Sequence, residues 1–442
     1  MINCHNTPAI IYVHPKTPML FRCMLPMSVP AIINRISYPV VGYYPDELRL
    51  VDLNKVKIVL MDIHWYLSLN GALELAAYIK EKRSKIIIIA GGLTASLFAD
   101  ILVKNTPIDY IIRGDGEIPT ARLVDELMNG KNIETIPNLV GKHEFVTPWS
   151  FKLSQEEINF NKYYDINFFP SFKHDTYKIH KFNSGWPVSI FPYLMSFRGC
   201  PVDCQNCVGG MSEQLMQFKR GPVFRTAENV KRDLEFLSDN KSITFANNHI
   251  DYVAFYEDKD VQSLFSRRYR LRIQHDFIKV PQKNILEMFL NSFSGGTIWF
   301  SMDKYHSTSE IIENPEKLIE AIKIVKSKKS YYPLIYYARR YLKANKEYRA
   351  ALKYVVKKTN CSLYYSDFFW GDAPLPNKEG NGDMSEYARC MAMSQGQGNK
   401  FKAPKLLANG GLLVDRFLPC LSIPIRQLIY KCQNNLSLSF FK

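Results

Sequence analysis

One stretch decides the fold of this 442-residue chain: Ser196-Phe197-Arg198-Gly199-Cys200-Pro201-Val202-Asp203-Cys204-Gln205-Asn206-Cys207-Val208-Gly209-Gly210. It follows a predicted strand, 192–197, and places three cysteines at Cys-x3-Cys-x2-Cys spacing. Three thiolates on one short loop can reach three irons of a cubane cluster, while the fourth iron lacks a protein ligand. Such a loop offers an open coordination site for a substrate.

A structural zinc site is the alternative for these cysteines. It normally uses four protein ligands, and no fourth Cys or His stands near the motif at the usual spacing. The distant Cys361 or Cys390 can complete such a site, so zinc stays open. A disulfide framework is disfavoured, because nine cysteines are an odd number and three of them lie within eight residues.

The composition is that of a globular protein with two to three domains, at 46% hydrophobic and 22% charged residues. Residues 1–15 lack the order of a signal peptide, and apolar runs such as 86–90 are shorter than the roughly 20 residues of a membrane span. We expect a soluble, cytoplasmic protein without a membrane partner. The net charge of +15 would suit an anionic partner, but in a lysine-rich proteome such a balance is more often only a solvated surface.

From residue 9 to about 142, short β-rich runs alternate with helix-period segments. The runs are 9–14, 38–43, 56–62, 85–90, 108–113 and 138–141, and the helical segments are 71–81, 93–104 and 119–128. This alternation predicts an α/β fold with a doubly wound, Rossmann-like, mostly parallel sheet as domain 1–142. Ligands of such sheets bind beyond the carboxyl ends of the strands.

The rest of the chain divides into three predicted parts. Residues 143–187 form an aromatic, packed connector, exemplified by Phe168-Phe169-Pro170-Ser171-Phe172. Residues 188–340 form a full or partial β/α barrel (TIM-like), and 341–442 form a C-terminal extension. The predicted barrel strands are 192–197, 243–245, 252–256, 269–274, 297–301 and 332–336. The predicted helices are 227–237, 282–293, 315–327 and 344–358, and the tail from residue 391 has no assignment.

On its cysteine motif, the sequence resembles the radical S-adenosylmethionine superfamily, in which this spacing follows the first barrel strand. Phe197 and the Arg198-Gly199 pair are also common there before the first cysteine. The resemblance implies that Cys200, Cys204 and Cys207 bind a [4Fe–4S] cluster. It further implies that the open iron binds S-adenosylmethionine, which one-electron reduction by a flavodoxin or ferredoxin-type donor cleaves to a 5′-deoxyadenosyl radical.

The same resemblance implies contacts to S-adenosylmethionine. Glu257 stands near the place of a Gly-Gly-Glu-type segment but lacks the glycines, so a solvated strand end is the alternative. Ser301 and Asp303 follow a later strand, where members of the superfamily place a polar residue. Arg220 and Arg225 resemble a segment that follows the cluster loop in the cobalamin-associated branch. The alternative is that they only pin the cluster loop by salt bridges.

The N-terminal part resembles the cobalamin-binding domain that precedes the radical domain in that branch. The resemblance rests on Gly91-Gly92-Leu93-Thr94 and on 109–117, both at strand ends. It implies that cobalamin contacts a set of residues at these ends: Gly91, Gly92, Thr94, Gly114, Gly116 and Glu117. Trp65 and Tyr66 are candidates for the floor under the corrin, and ordinary βα turns are the alternative.

His64 lies in a partial match to the Asp-x-His-x-x-Gly motif, whose histidine is an axial ligand of cobalt. Asp62-Ile63-His64 fits the start of the motif, yet Leu67 stands where glycine should. We therefore expect that His64 is not an axial ligand.

The two resemblances together imply a cobalamin-dependent methyltransferase that acts on an unreactive carbon or phosphorus of a small-molecule substrate. Relatives with these domains also perform ring closures and rearrangements, which is one alternative. An iron–sulfur module that binds nucleic acid is another. It is disfavoured because the 26 tyrosines and 27 phenylalanines are spread at core-like spacing and not interleaved with the basic tail.

Overall fold

The computed structural model describes residues 7–16, 28–64, 66–160, 162, 165, 167–170, 194–199, 215–216, 218–239, 245–251, 259–277, 279–301, 311–338, 346–366 and 382–394. Six predicted site residues lie outside these ranges: Trp65, Glu257, Asp303, Cys200, Cys204 and Cys207. Ser301 is described as part of a strand only.

The N-terminal unit, residues 7–141, is built on a six-stranded sheet with the order β2-β1-β3-β4-β5-β6. The strands are β1 (Ile10–Val13), β2 (Val40–Tyr43), β3 (Ile58–Asp62), β4 (Ile87–Gly91), β5 (Tyr110–Ile112) and β6 (Leu139–Gly141). All neighbours pair in parallel except β5 and β6, which are antiparallel. The predicted doubly wound, mostly parallel sheet is confirmed.

Helices cover both faces of this sheet. They are α1 (Ser28–Ile33), α2 (Leu69–Lys82), α3 (Leu93–Leu97), α4 (Ala99–Asn105) and α5 (Glu117–Met128), with short 3-10 helices at Pro45–Leu50 and Tyr66–Ser68. Because successive strand residues point to opposite faces, β1 contributes Ile11 and Val13 to one core and Ile10 and Tyr12 to the other. Burial on both faces explains why the strands are almost entirely apolar.

The predicted helix 93–104 is two helices, α3 and α4, which meet at Phe98. The backbone of Phe98 leaves the helical region, with φ −113° and ψ 27°. The carbonyl of Leu97 accepts a hydrogen bond of 2.7 Å from the N–H of Gly382, in the C-terminal part of the chain. In a continuous helix this carbonyl would accept a hydrogen bond from within the helix, whereas here it accepts one from a distant segment.

The central unit, residues 194–366, contains a five-stranded parallel sheet with the order β13-β12-β11-β10-β9. Its strands are β9 (Phe245–Asp251), β10 (Arg272–Phe277), β11 (Gly295–Ser301), β12 (Tyr331–Ala338) and β13 (Ser362–Ser366). Its helices are α7 (Ala227–Asp239), α8 (Lys259–Leu264), α9 (Lys283–Ser292), α10 (Pro315–Ser327) and α11 (Lys346–Thr359). Strands in chain order, with helices between them, agree with the predicted β/α barrel.

This sheet differs from the prediction in three respects. The strand β9 continues to Asp251, beyond the end of the strand expected at 243–245, and the strand expected at 252–256 lies outside the described residues. The strand predicted at 269–274 begins later, at Arg272, because Tyr269 is held by a hydrogen bond from its N–H to the carbonyl of Ser292. The sheet also continues past residue 340, where we expected the barrel to end, since β13 pairs with β12.

A short antiparallel ribbon joins the two units. It consists of β7 (Phe197–Arg198) and β8 (Val223–Phe224), which lie outside the five-stranded sheet. Met195 beside this ribbon packs with Ala31 of α1 and with Ile158 of α6 (Gln155–Phe160). The segment that enters the cysteine motif is therefore packed against the N-terminal unit.

The connector and the C-terminal extension also pack on the N-terminal unit. Phe169 is fully buried there, and the carbonyl of Phe168 accepts a 2.6 Å hydrogen bond from Gly42 of β2. Residues 167–170 of the expected connector therefore pack on this unit. A helix that the sequence did not reveal, α12 (Met384–Ser394), buries Cys390 in the core formed with α2 and α3. None of the described helices is both long and apolar enough to cross a bilayer.

Candidate functional site

A cleft opens at the carboxyl ends of β1, β3, β4 and β5, where the strand order of the N-terminal sheet reverses. It has a volume of about 670 Å³, its open mouth included. Such a reversal point is where ligands bind in doubly wound sheets, because the connections that follow the neighbouring strands β1 and β3 leave toward opposite faces. The floor is apolar, and its side chains are those of Val29, Ile32, Ile33, Leu60, Ile89 and Ile112.

Four predicted cofactor residues line this cleft: Gly91, Gly92, Gly114 and Gly116. Gly92 has φ +107°, a conformation that favours glycine. A Cβ at this position would lie 2.7 Å from the backbone N and Cα of His64. The mouth of the cleft is therefore formed by backbone that approaches other backbone closely.

Ser96 ties two of the glycine loops together. Its Oγ donates a 2.8 Å hydrogen bond to the carbonyl of Gly92 and accepts one of 2.8 Å from the N–H of Gly114. The loops after β4 and β5 are thereby held at a fixed separation. Ser96 was not predicted, because its role depends on burial and on contacts with two loops that no local pattern encodes.

Thr94 and Tyr66, two other predicted cofactor residues, are not among the residues that line the cleft. Thr94 is buried, and its Oγ1 donates a 3.3 Å hydrogen bond to the carbonyl of His64. Tyr66 packs in the core on the opposite face of the sheet, with Ile11 and Val59. Burial there raises the pKa of Tyr66. The structure does not bring Tyr66 to the place expected of a corrin floor.

A polar cluster that the sequence did not reveal stands at the ends of β1 and β3. The hydroxyl of Tyr12 donates to Oδ1 of Asp62, and Nδ1 of His14 lies 3.0 Å from the same oxygen. Burial raises the pKa of Asp62, but His14 and the hydrogen bonds outweigh it, so that the pKa lies below its ordinary value. Tyr12, Asp62 and His64 all line the cleft and are among its polar residues.

Glu117 and its neighbour Asp115 form the interdomain ion cluster with Arg198 and Arg220. Both carboxylates are fully buried. Arg220 donates to Asp115 from Nε at 2.6 Å and from Nη2 at 2.7 Å. Arg198 forms an ion pair with Glu117, and its Nη2 lies 3.4 Å from Asp115. Glu117, predicted to contact a cofactor, is therefore paired with an arginine of the other unit.

The two arginines shift the titration of the buried carboxylate. Burial raises the pKa of Asp115. The charges of Arg198 and Arg220 and the hydrogen bond from Arg220 lower this pKa by more, so it lies below its ordinary value. Burial lowers the pKa of Arg198 to about 10. Asp115 also accepts a 2.9 Å hydrogen bond from the N–H of Leu153. Asp115 and Arg198 are therefore ionised at neutral pH.

The segments that flank the cysteine motif reach the cleft. Arg198, two residues before Cys200, and Phe218, which follows the motif, both line it. The three cysteines lie outside the described residues, and within the described part no group of three potential metal-binding side chains occurs. The two candidates for a fourth zinc ligand lie in separate apolar cores, Cys361 in the central unit and Cys390 in the N-terminal unit.

The sequence matches no family model. Two curated relatives match over part of the chain. An anaerobic magnesium-protoporphyrin IX monomethyl ester cyclase of Synechocystis is 31% identical over 71 residues, 16% of this chain and 14% of the relative. An uncharacterized methyltransferase of Pyrococcus horikoshii is 26% identical over 186 residues, 39% of this chain and 37% of the relative. The matches thus span well under half of either relative.

Solved structures match over most of the chain. The radical S-adenosylmethionine methyltransferase TsrM from Kitasatospora setae, bound to tryptophan and an S-adenosylmethionine analog, superimposes with a TM-score of 0.55 at 13% identity. The match covers 81% of this chain and 72% of TsrM. TsrM with cobalamin and a [4Fe–4S] cluster bound gives a TM-score of 0.53 at 13% identity, over 82% and 72% of the two chains. This protein therefore has the fold of a cobalamin-binding radical S-adenosylmethionine enzyme.

Proposed function

We propose that this protein is a cobalamin-dependent radical S-adenosylmethionine enzyme that transfers a methyl group to an unreactive carbon or phosphorus of a small molecule. The observation that carries the proposal is the position of Arg198. It lies two residues before the first cysteine of the motif and lines the cleft of the N-terminal sheet. A cofactor in the cleft and a cluster on the motif would therefore face one another.

The cleft fits the chemistry of cobalamin. A corrin with its nucleotide tail needs an apolar surface together with backbone donors and close backbone approach for its amides. The apolar floor meets the first need, and the glycine loops at Gly91, Gly92, Gly114 and Gly116 meet the second. Asp62, fixed by Tyr12 and His14, adds one carboxylate that can accept a hydrogen bond from the ligand.

The donor set of the cysteine motif fits an iron–sulfur cluster. Cys200, Cys204 and Cys207 supply three thiolates, which leaves one iron for S-adenosylmethionine. Glu257, Ser301 and Asp303 remain proposed contacts of that molecule. When bound, the two cofactors would supply a radical and a transferable methyl group.

The residues of this chain would contribute positioning and exclusion of water. The interdomain ion cluster fixes the flanks of the motif against the cleft, and Phe218 adds apolar cover at its mouth. Two reacting groups held in one cavity gain the rate advantage of an intramolecular reaction. A ring closure by the same radical chemistry is the second candidate, and the partial similarity to a cyclase favours it.

The test is formation of 5′-deoxyadenosine by anaerobically reconstituted protein with S-adenosylmethionine, using dithionite or flavodoxin as the reductant. We expect the product from the wild type and from Cys361→Ala, and none from Cys204→Ala. Cys361 is a matched control, because it is buried in the core of the central unit and burial raises the pKa of its thiol to about 12. A cluster-loaded wild type that makes no more product than Cys204→Ala contradicts the proposal.

Methyl transfer and ring closure are separated by isotope. With S-adenosylmethionine labelled in its methyl group, a methyltransferase passes the label to its product, whereas a cyclase does not. Label recovered only in methionine would contradict methyl transfer and favour the cyclase.

A further inference from the structure

The segment 113–117 after β5 serves two sites at once. Gly114 and Gly116 line the cleft, whereas Asp115 and Glu117, next to them in the chain, are buried away from solvent. The backbone in contact with a bound ligand and the carboxylates of the ion cluster therefore belong to one short peptide.

The opposite side of the ion cluster comes from the cysteine motif. Arg198 precedes Cys200 by two residues, and Arg220 follows Cys207 by thirteen. Their side chains are 17% and 9% exposed, and both contact Asp115. The two flanks of the motif thus converge on a single carboxylate of the N-terminal unit.

The peptide has little freedom to move without moving its carboxylates. The N–H of Gly114 is bonded to Ser96, and Oδ2 of Asp115 accepts from Leu153. Buried ionised groups lose most of their stabilisation when a partner shifts, because water cannot replace it. A ligand that displaces Gly114 or Gly116 therefore also shifts the carboxylates between and beside them and changes their ion pairs with Arg198 and Arg220.

We propose that Asp115 and Glu117 are positioning residues that couple occupancy of the cleft to occupancy of the cysteine motif. This inference rests on the proposed function, because it takes cobalamin as the ligand of the cleft and an iron–sulfur cluster as the ligand of the motif. Each ligand stabilises the same arrangement of the ion cluster, so each raises the affinity for the other. Such coupling is reciprocal by thermodynamic necessity.

The test is the dissociation constant of hydroxocobalamin, measured by visible absorbance on the full chain with and without a reconstituted cluster. We expect wild type with the cluster to bind at least about fivefold more tightly, the lower end of typical coupling between sites. In Asp115→Asn and in Glu117→Gln the ratio of the two constants falls toward one. Binding is read without turnover, so activity does not enter.

Val355→Ala is the matched control. Val355 is fully buried in the core of the central unit, on α11, and belongs neither to the ion cluster nor to the flanks of the cysteine motif. We expect this variant to keep the wild-type ratio even where it lowers stability. Loss of the ratio in Val355→Ala as well would show a general effect of instability and overturn the inference.

The remaining outcomes separate the two proposals. Equal affinity in the cluster-loaded and cluster-free wild type overturns the coupling and leaves the cofactor assignment standing. Absence of hydroxocobalamin binding in both forms overturns the proposed function and the coupling with it. Since the wild-type ratio is measured first, the inference is tested even where a variant fails to fold.

Discussion

Asp115 and Arg220 are joined by two hydrogen bonds across the boundary between the N-terminal and central units, at 2.6 Å from Nε and 2.7 Å from Nη2. Paired donors of a guanidinium on one carboxylate fix orientation as well as distance. The two residues are 105 positions apart in the sequence. This pair therefore orients the end of the cysteine segment on the N-terminal sheet.

Replacement of Asp115 by asparagine is expected to lower the free energy of unfolding by about 3–5 kcal/mol, because Arg220 is left buried opposite a neutral side chain. Denaturation by urea measures the change. Glu81→Gln is the control, since its pair with Lys82 is exposed and 3.7 Å long, and we expect no measurable effect. An effect of Asp115→Asn as small as that of the control would contradict a structural role for the pair.

The same carboxylate predicts a dependence on acid. Its pKa in the folded protein lies below the unfolded value of about 3.9, so its stabilisation is present above that value and lost as the pH falls through the folded pKa. Between about pH 5 and pH 2 the wild type should lose more stability than Asp115→Asn. Urea midpoints across this range measure the difference, and parallel curves would show that Asp115 is not the titrating group.

Gly92→Ala is expected to weaken hydroxocobalamin binding about tenfold or more. The added Cβ would lie 2.7 Å from backbone atoms of His64, and strain of about 1–3 kcal/mol would reshape the mouth of the cleft. Gly130→Ala is the matched control, since Gly130 also has a positive φ, +66°, but a Cβ there meets nothing within 4 Å. The cleft is not the binding site if both variants bind like the wild type.

The docking of α12 is tested by the reactivity of Cys390. This thiol is fully buried, and Tyr387 on the same helix packs edge-on against Phe98 with ring centroids 5.5 Å apart. Tyr387→Ala should raise the labelling rate of Cys390 at least about tenfold, as expected for a loss of ~1.4 kcal/mol of packing. Peptide mass spectrometry follows the site. Tyr354→Ala, at an exposed tyrosine of α11, should leave the rate unchanged; an equal rise there would argue against specific docking.

The local pattern of apolar residues was sufficient to predict many of the helices and strands. The helix predicted at 315–327 has the same bounds in the structure, because Pro315 begins it and its apolar positions repeat at helical spacing. The strands of the N-terminal sheet were predicted because both faces are buried and each run is nearly all apolar. By contrast, β9 contains Asn247, Asn248 and His249, and its polar sequence offered no alternation to detect.

The sequence predicted the site residues at each strand end separately, but not the contacts between distant segments. The glycines Gly91, Gly92, Gly114 and Gly116 were found from their positions after apolar runs, and the structure brings them together. The partners of Glu117 come from a different part of the chain, which no local pattern encodes. The cluster of Tyr12, His14 and Asp62 likewise depends on the pairing of β1 with β3.

Whether one chain holds both cofactors is measured by the content of iron, sulfide and cobalt per chain after anaerobic reconstitution with hydroxocobalamin and removal of unbound cofactor. We expect about four iron, about four sulfide and about one cobalt in the wild type, the content of one cubane cluster and one corrin. Cys204→Ala should lose the iron and keep cobalt. Wild-type protein that contains zinc in place of iron, or iron without cobalt, would contradict the proposal that one chain holds both cofactors.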